Sequence, residues 1–294
     1  MRLVTFTPRN NPAAAPSVGA LVRGGTAVLD FTRRDLRMPS DLLACFDLDG
    51  AWLPRAFALA AGEPPAGAVV AIETIRLRAP VPRPGKLVCV GLNYRDHAAE
   101  SKMPVPERPI LFSKFTTAVI GSGDPIVLPP SSEKVDYEAE LAVVVGRRVK
   151  RANRDAAAKA ILGYTIVNDV TARDFQFGDG QWQRGKSCDS FAPMGPWVVT
   201  ADEVADPQRL GIRLRVNGQT LQSSNTGQMV FGAIDLVAYI SETITLEPGD
   251  VIATGTPPGV GFARQPPIFL KEGDQVEVEI DGLGVLTNTV KAET

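Results

Sequence analysis

The sequence predicts a β-rich α+β fold built from mixed sheets. Three observations carry that reading. Apolar runs of strand length outnumber helical patterns along the 294-residue chain. Their order does not alternate strand and helix in the way that doubly wound and (βα)8 folds require. Asn217 and Gly218 stand between two alternating segments, and both tolerate the positive φ that a type I′ hairpin demands.

Taken in chain order, short apolar segments at 3–6, 18–22 and 27–31 are broken by proline and glycine, as in a small sheet. Residues 80–86, PVPRPGK, hold three prolines and a glycine, so the backbone there is extended and restricted. That segment divides a small N-terminal domain, 1–80, from a main domain, 81–294. Strand-like runs come next at 87–92, 110–112, 126–128, 141–145, 164–167, 197–200, 212–216, 251–254 and 276–280. Helical spacing occurs at 154–162 and 231–241, and 94–101 has room for two turns.

Composition narrows the function classes. Hydrophobic residues are 44% and charged residues 22%, a globular mix that excludes collagenous, coiled-coil and disordered chains. A formal charge of -2 provides no basic field for nucleic acid or anionic lipid. Cys45, Cys89 and Cys188 lie far apart without a CxxC pair, which argues against a disulfide framework or a structural zinc site. The N-terminal residues MRLVTFTPRNNP lack the pattern of a signal peptide, and no run of about 18 apolar residues occurs, so a cytoplasmic protein without a membrane span is expected.

Two glycine-rich motifs do not fit nucleotides. Residues 180–187, GQWQRGKS, match GxxxxGK[ST], but a phosphate loop needs a buried strand before it and a helix after it. Here DFQFGD precedes it, and Pro193 and Pro196 interrupt the segment on its C-terminal side. Residues 255–261, GTPPGVG, carry two prolines where a dinucleotide fingerprint needs amides.

The acids are more informative. DYEAEL at 136–141 leads into an apolar run, and on a strand Glu138 and Glu140 share a face. Such a pair is either a solvated edge or a site for a cation or proton. Asp169 ends a further apolar run, and three carboxylates suit Mg2+ or Mn2+, which prefer oxygen. The single histidine, His97, has Glu100 three residues on, so it is either a surface histidine or half of an acid–base dyad.

Taken together, GLNYRDHAAE, VDYEAELAVVVG, NDVTARDFQ, the GKS of Lys186 and ATGTPPGVG resemble the fumarylacetoacetate hydrolase superfamily over about residues 84–292. SSNTGQMVF and PPIFLKEGD resemble its branch called domain-containing protein two, associated with oxaloacetate keto-enol tautomerisation. The resemblance implies a roll of mixed β-sheets, a homodimer, and Mg2+ or Mn2+ held by Glu138, Glu140 and Asp169. It implies catalytic roles for His97, Glu100 and Lys186, with Arg173, Gln176 and Thr256 on the substrate side. Phe115 departs from the proline that many relatives carry. The implied activity acts on a small 2-oxo acid through a metal-stabilised enolate, with carbon–carbon hydrolysis of an acylpyruvate first. Oxaloacetate tautomerisation or decarboxylation is the alternative, and a non-catalytic small-acid-binding protein is the alternative of another class.

Overall fold

The computed structural model describes residues 1–46, 52–64, 66–100 and 102–293. Among them strands dominate, in a twelve-stranded sheet, a five-stranded sheet and a two-stranded ladder, which is the β-rich α+β class read from the sequence.

Four strands of the large sheet position the site. Ala139–Val145 runs antiparallel to Ile161–Asn168, with Ala139 opposite Asn168. Both are buried along their whole length, which explains near-continuous apolar runs in place of alternation. Ala139–Val145 also pairs antiparallel with Val251–Ala253, which lies parallel to Leu87–Gly91. One end of the sheet therefore collects the start of the first strand and the exits of the other three. Glu138, Asp169, the 254–261 loop and the 92–100 segment meet there by topology.

The segment ahead of the proline-rich stretch extends the same sheet. Arg2–Pro8 pairs antiparallel with Ala192–Thr200, Arg2 facing Val199, and Ser17–Val22, Ala27–Asp30 and Val69–Ala71 continue outward. In the five-stranded sheet, Gly211–Val216 and Gln219–Asn225 form the expected hairpin, with Asn217 and Gly218 at φ of 52° and 78°. Gln275–Ile280 pairs with Gly284–Ala292, a strand hidden in the sequence because its polar face reads as loop.

Helix Arg154–Ala160 is capped by Asn153, whose side chain accepts from the Ala156 amide at 2.9 Å. It ends two residues short of the predicted 154–162 because Ile161 is taken into the ladder opposite Val145. Tertiary pairing outweighs local periodicity there. Helix Ala233–Thr243 begins two residues later than the predicted 231–241.

Ile161–Asn168 also pairs antiparallel with Ala192–Thr200, and the two backbones approach closely at Gly163, where a Cβ would strike the Val199 carbonyl oxygen. Gly163→Ala should therefore destabilise the protein by about 1–3 kcal/mol through overpacking. Gly178→Ala, where a Cβ meets nothing within 4 Å, should stay within about 0.5 kcal/mol, and urea midpoints of the two variants test the contrast.

Candidate active site

Strand parity and one backbone bond assemble the acids. Glu138 and Glu140 lie two residues apart on one chain face, and the Asp169 amide donates to the Glu138 carbonyl at 2.9 Å. The Glu138 amide in turn donates to Asn168 Oδ1 at 3.0 Å. Glu138, Glu140 and Asp169 each bring a carboxylate oxygen within 4.8 Å of the others, and all three are buried.

Three buried cations answer most of this charge. Lys186 Nζ donates to Glu138 Oε2 and Asp169 Oδ2, both at 2.8 Å. Lys114 Nζ donates to the other oxygen of Asp169 and to the Val170 carbonyl. Arg173 donates to Asp136 at 2.9 Å, Glu138 at 2.6 Å and Gln176 at 2.9 Å. Burial opposes the Lys186 charge, but Asp169 and Glu138 overcome it and push the ammonium above its ordinary range. Burial likewise opposes ionisation of Glu138, yet Lys186 and Arg173 hold its carboxyl at about 2.

Glu140 is the exception. Its Oε2 accepts the Gly255 amide at 2.8 Å, and it forms no ion pair among the described residues. Burial, then Asp169 and Glu138, drive its carboxyl well above the ordinary value. Four buried carboxylates thus face three buried cations, leaving an oxygen-only donor set short of positive charge. A hard divalent cation fits that chemistry.

The histidine stands over this floor. Helix Arg95–Glu100 buries His97, whose Nδ1 lies 3.1 Å from Glu100 Oε2. With Nδ1 engaged, Nε2 is the nitrogen left to meet a ligand. Glu100 accepts the Gly259 amide at 2.9 Å and 3.1 Å, tying the helix to the proline-rich loop. Gly259 must be glycine, since at φ of +101° a Cβ would collide with the Leu221 carbonyl. Burial raises the Glu100 carboxyl, but His97 and the Gly259 amide outweigh it and bring it below its ordinary value.

A cavity of about 230 Å³ joins these groups. His97, Glu138, Glu140, Arg173, Gln176, Lys186 and Thr256 line it. At about 30 Å³ per water-sized group, it suits a small organic acid. Of the residues expected from the sequence, Glu100 acts through His97, and Asp169 lies behind Lys186. Arg173 reaches the cavity with its guanidinium already bound to two carboxylates. The match to a phosphate loop is explained: Lys186 ends the short helix Gln183–Lys186, and no strand precedes it.

Sequence reasoning missed Asp136, Lys114 and Gln222. Asp136 accepts from Arg173 and from the amides of Gly261 and Phe262, at 2.9, 2.7 and 3.1 Å. Gln222 accepts the Ala139 amide and donates to Thr256 Oγ1, both at 2.9 Å, so it ties the acid strand to the threonine. Asp136 lies in a segment already singled out; Lys114 and Gln222 have no local signal. Phe115, the departure from proline, donates its amide to Ser187 Oγ at 3.1 Å, a bond that proline cannot make.

Comparison with known proteins agrees with this geometry. Residues 86–291 match the model of the family described as fumarylacetoacetate (FAA) hydrolase C-terminal, and the chain belongs to that family. Among curated relatives, "Oxaloacetate tautomerase FAHD2A, mitochondrial" of Bos taurus is 46% identical over 292 residues, 99% of this chain and 91% of the relative. A solved fumarylacetoacetate hydrolase from Exiguobacterium antarcticum superposes with a TM-score of 0.84 at 34% identity over 100% of both chains. A solved 5-carboxymethyl-2-hydroxymuconate delta-isomerase from Mycobacterium smegmatis gives 0.78 at 36%, again over 100% of both. The FAH-type roll implied by the sequence motifs is the fold of these neighbours. The expected cytoplasmic location is corrected: the bovine relative and several others carry "mitochondrial" in their names. Composition does not encode a compartment. No described helix is long and apolar enough to cross a membrane.

The lowered carboxyl of Glu100 gives the contact between helix Arg95–Glu100 and the 254–261 loop a pH dependence. An acid depressed on folding stabilises that contact above its ordinary value of 4.5, and the contribution is lost as pH falls below it. Amide protection over Arg95–Glu100 should drop as acid is added, and Glu100→Ala should flatten the profile in hydrogen-exchange measurements.

Proposed function

We propose that this protein is a keto–enol tautomerase of a small 2-oxo acid, oxaloacetate first, rather than the acylpyruvate hydrolase that the sequence motifs place first. The observation that carries the reading is the charge-deficient trio of Glu138, Glu140 and Asp169 beneath the His97–Glu100 pair. The name of the bovine relative, at 46% identity along nearly the whole chain, supports tautomerisation over the other reactions such a floor could serve. Glu138, Glu140 and Asp169 would hold Mg2+ or Mn2+, whose chemistry there is to offset negative charge gathering on the substrate's enolate oxygen.

The chain's own groups do the rest. Glu100 selects the His97 tautomer with Nε2 free, and His97 carries the proton between the substrate's C3 and the active site. Lys186, held protonated by its two acids, stabilises charge at the oxygen end and is a poor base. Arg173 keeps Glu138 ionised, and its bond to Gln176 Oε1 turns the amide N–H groups of Gln176 into available donors. Thr256 accepts from Gln222, which leaves its hydroxyl hydrogen for a substrate carboxylate. His97, Arg173, Gln176, Lys186 and Thr256 are all buried, so these groups act with water largely excluded. With this reading we also propose the homodimer implied by the resemblance.

The test monitors the loss of enol-oxaloacetate absorbance beside cleavage of acetylpyruvate, each with and without a chelator. Tautomerisation faster than the uncatalysed rate and abolished by chelation is expected; equal rates with chelator overturn the metal assignment. Efficient acetylpyruvate cleavage with no tautomerisation restores the hydrolase. His97→Ala should lower kcat by about 10²-fold or more. Glu138→Gln should weaken Mg2+ binding in calorimetry, and unchanged affinity counts against the carboxylate site.

A further inference from the structure

The cavity is divided by polarity. Its floor is the buried set of acids and bases, whereas its mouth is apolar: Leu92, Met103, Phe112, Phe177, Trp182 and Phe262. Phe177 is 61% exposed and Met103 52%, and with the other rim residues they line one apolar opening, the kind of contiguous patch that marks a binding groove.

This rim is built in two edge-to-face aromatic pairs. Phe112 and Trp182 meet at 5.4 Å and 76°, Phe177 and Phe262 at 5.6 Å and 68°. Both pairs are anchored to the floor. The Phe262 ring lies 4.4 Å from the Arg173 guanidinium carbon, and the Phe112 ring 5.0 Å from Lys186 Nζ. Trp182 rests on Gly91, where a Cβ would clash with its ring. Met103 joins from beyond helix Arg95–Glu100, its amide donating to the Ala98 carbonyl at 3.0 Å.

No residue of this rim carries charge. The two cations that line the cavity, Arg173 and Lys186, are already held by carboxylates on the floor. A ligand whose carboxylate and 2-oxo group occupy the floor therefore sends its far end into a hydrocarbon and aromatic ring.

We propose that this rim is an apolar subsite for the substituent on C3 of the substrate, and that the protein interconverts keto and enol forms of aryl-substituted 2-oxo acids, with phenylpyruvate as the test member. This deepens the tautomerase reading and rests on it. The step balances without a co-reactant: C3 releases one proton, the pair of the broken C3–H bond becomes the C2–C3 double bond, the carbonyl π pair withdraws onto oxygen, and one proton is added there. The aryl ring enters the space between the two aromatic pairs and displaces water from both.

The experiment compares kcat/KM for phenylpyruvate and oxaloacetate tautomerisation in the Mg2+-supplemented protein, in Phe177→Ser and in Met103→Lys, with phenylpyruvate binding measured by calorimetry. Phe177→Ser should lower the phenylpyruvate-to-oxaloacetate ratio by about tenfold, and Met103→Lys should lower it further by offering a cation to the distal carboxylate of oxaloacetate. If oxaloacetate is turned over while phenylpyruvate neither binds nor reacts, or if both ratios stay within about twofold of the parent, the subsite is overturned and the tautomerase reading stands. If phenylpyruvate binds in a Phe177-dependent way but neither acid tautomerises, the proposed activity fails together with the tautomerase reading, and only the apolar contact survives. If neither acid binds or reacts, both are overturned.

Discussion

Removing charge from water is expensive unless each ion meets a close partner, and the floor of this cavity depends on that constraint. Asp136, Glu138, Glu140 and Asp169 are buried with Lys114, Lys186 and Arg173. Each cation bridges two carboxylates or a carboxylate and a carbonyl, so the groups fix one another's positions. The geometry is inherited from the backbone: strand parity aligns Glu138 with Glu140, and an interstrand bond sets Asp169 beside them. Of these four acids, Glu140 alone forms no ion pair among the described residues, which leaves a donor that suits an incoming cation.

Much of this was legible because its causes are local. Period-two alternation placed Glu138 and Glu140 on one side, the end of an apolar run placed Asp169, and a three-residue spacing paired His97 with Glu100. The twin positive φ of Asn217 and Gly218 comes from residue type alone. What stayed hidden depends on distance along the chain. Arg173 and Asp136 are 37 residues apart, Lys114 and Asp169 55, and no local pattern reports such pairs. Helices Arg173–Gly178 and Gln183–Lys186 are too short for periodicity to show; Arg184 ties them through Asp179 and the Phe175 ring.

The cavity separates into an ionic floor and an apolar mouth. The proposed enolate chemistry would belong to the buried ions, and fold or floor alone does not decide which reaction follows. Neighbours sharing this roll are named as a hydrolase and an isomerase. The aromatic mouth adds no ion pair to the floor and meets it through the Arg173–Phe262 and Lys186–Phe112 ring contacts.

Glu100 joins two duties that are usually distributed between residues. It orients the imidazole and also clasps the 254–261 loop through Gly259. Alignment of the base and docking of that loop thus rest on a single side chain, so a change at Glu100 disturbs both at once.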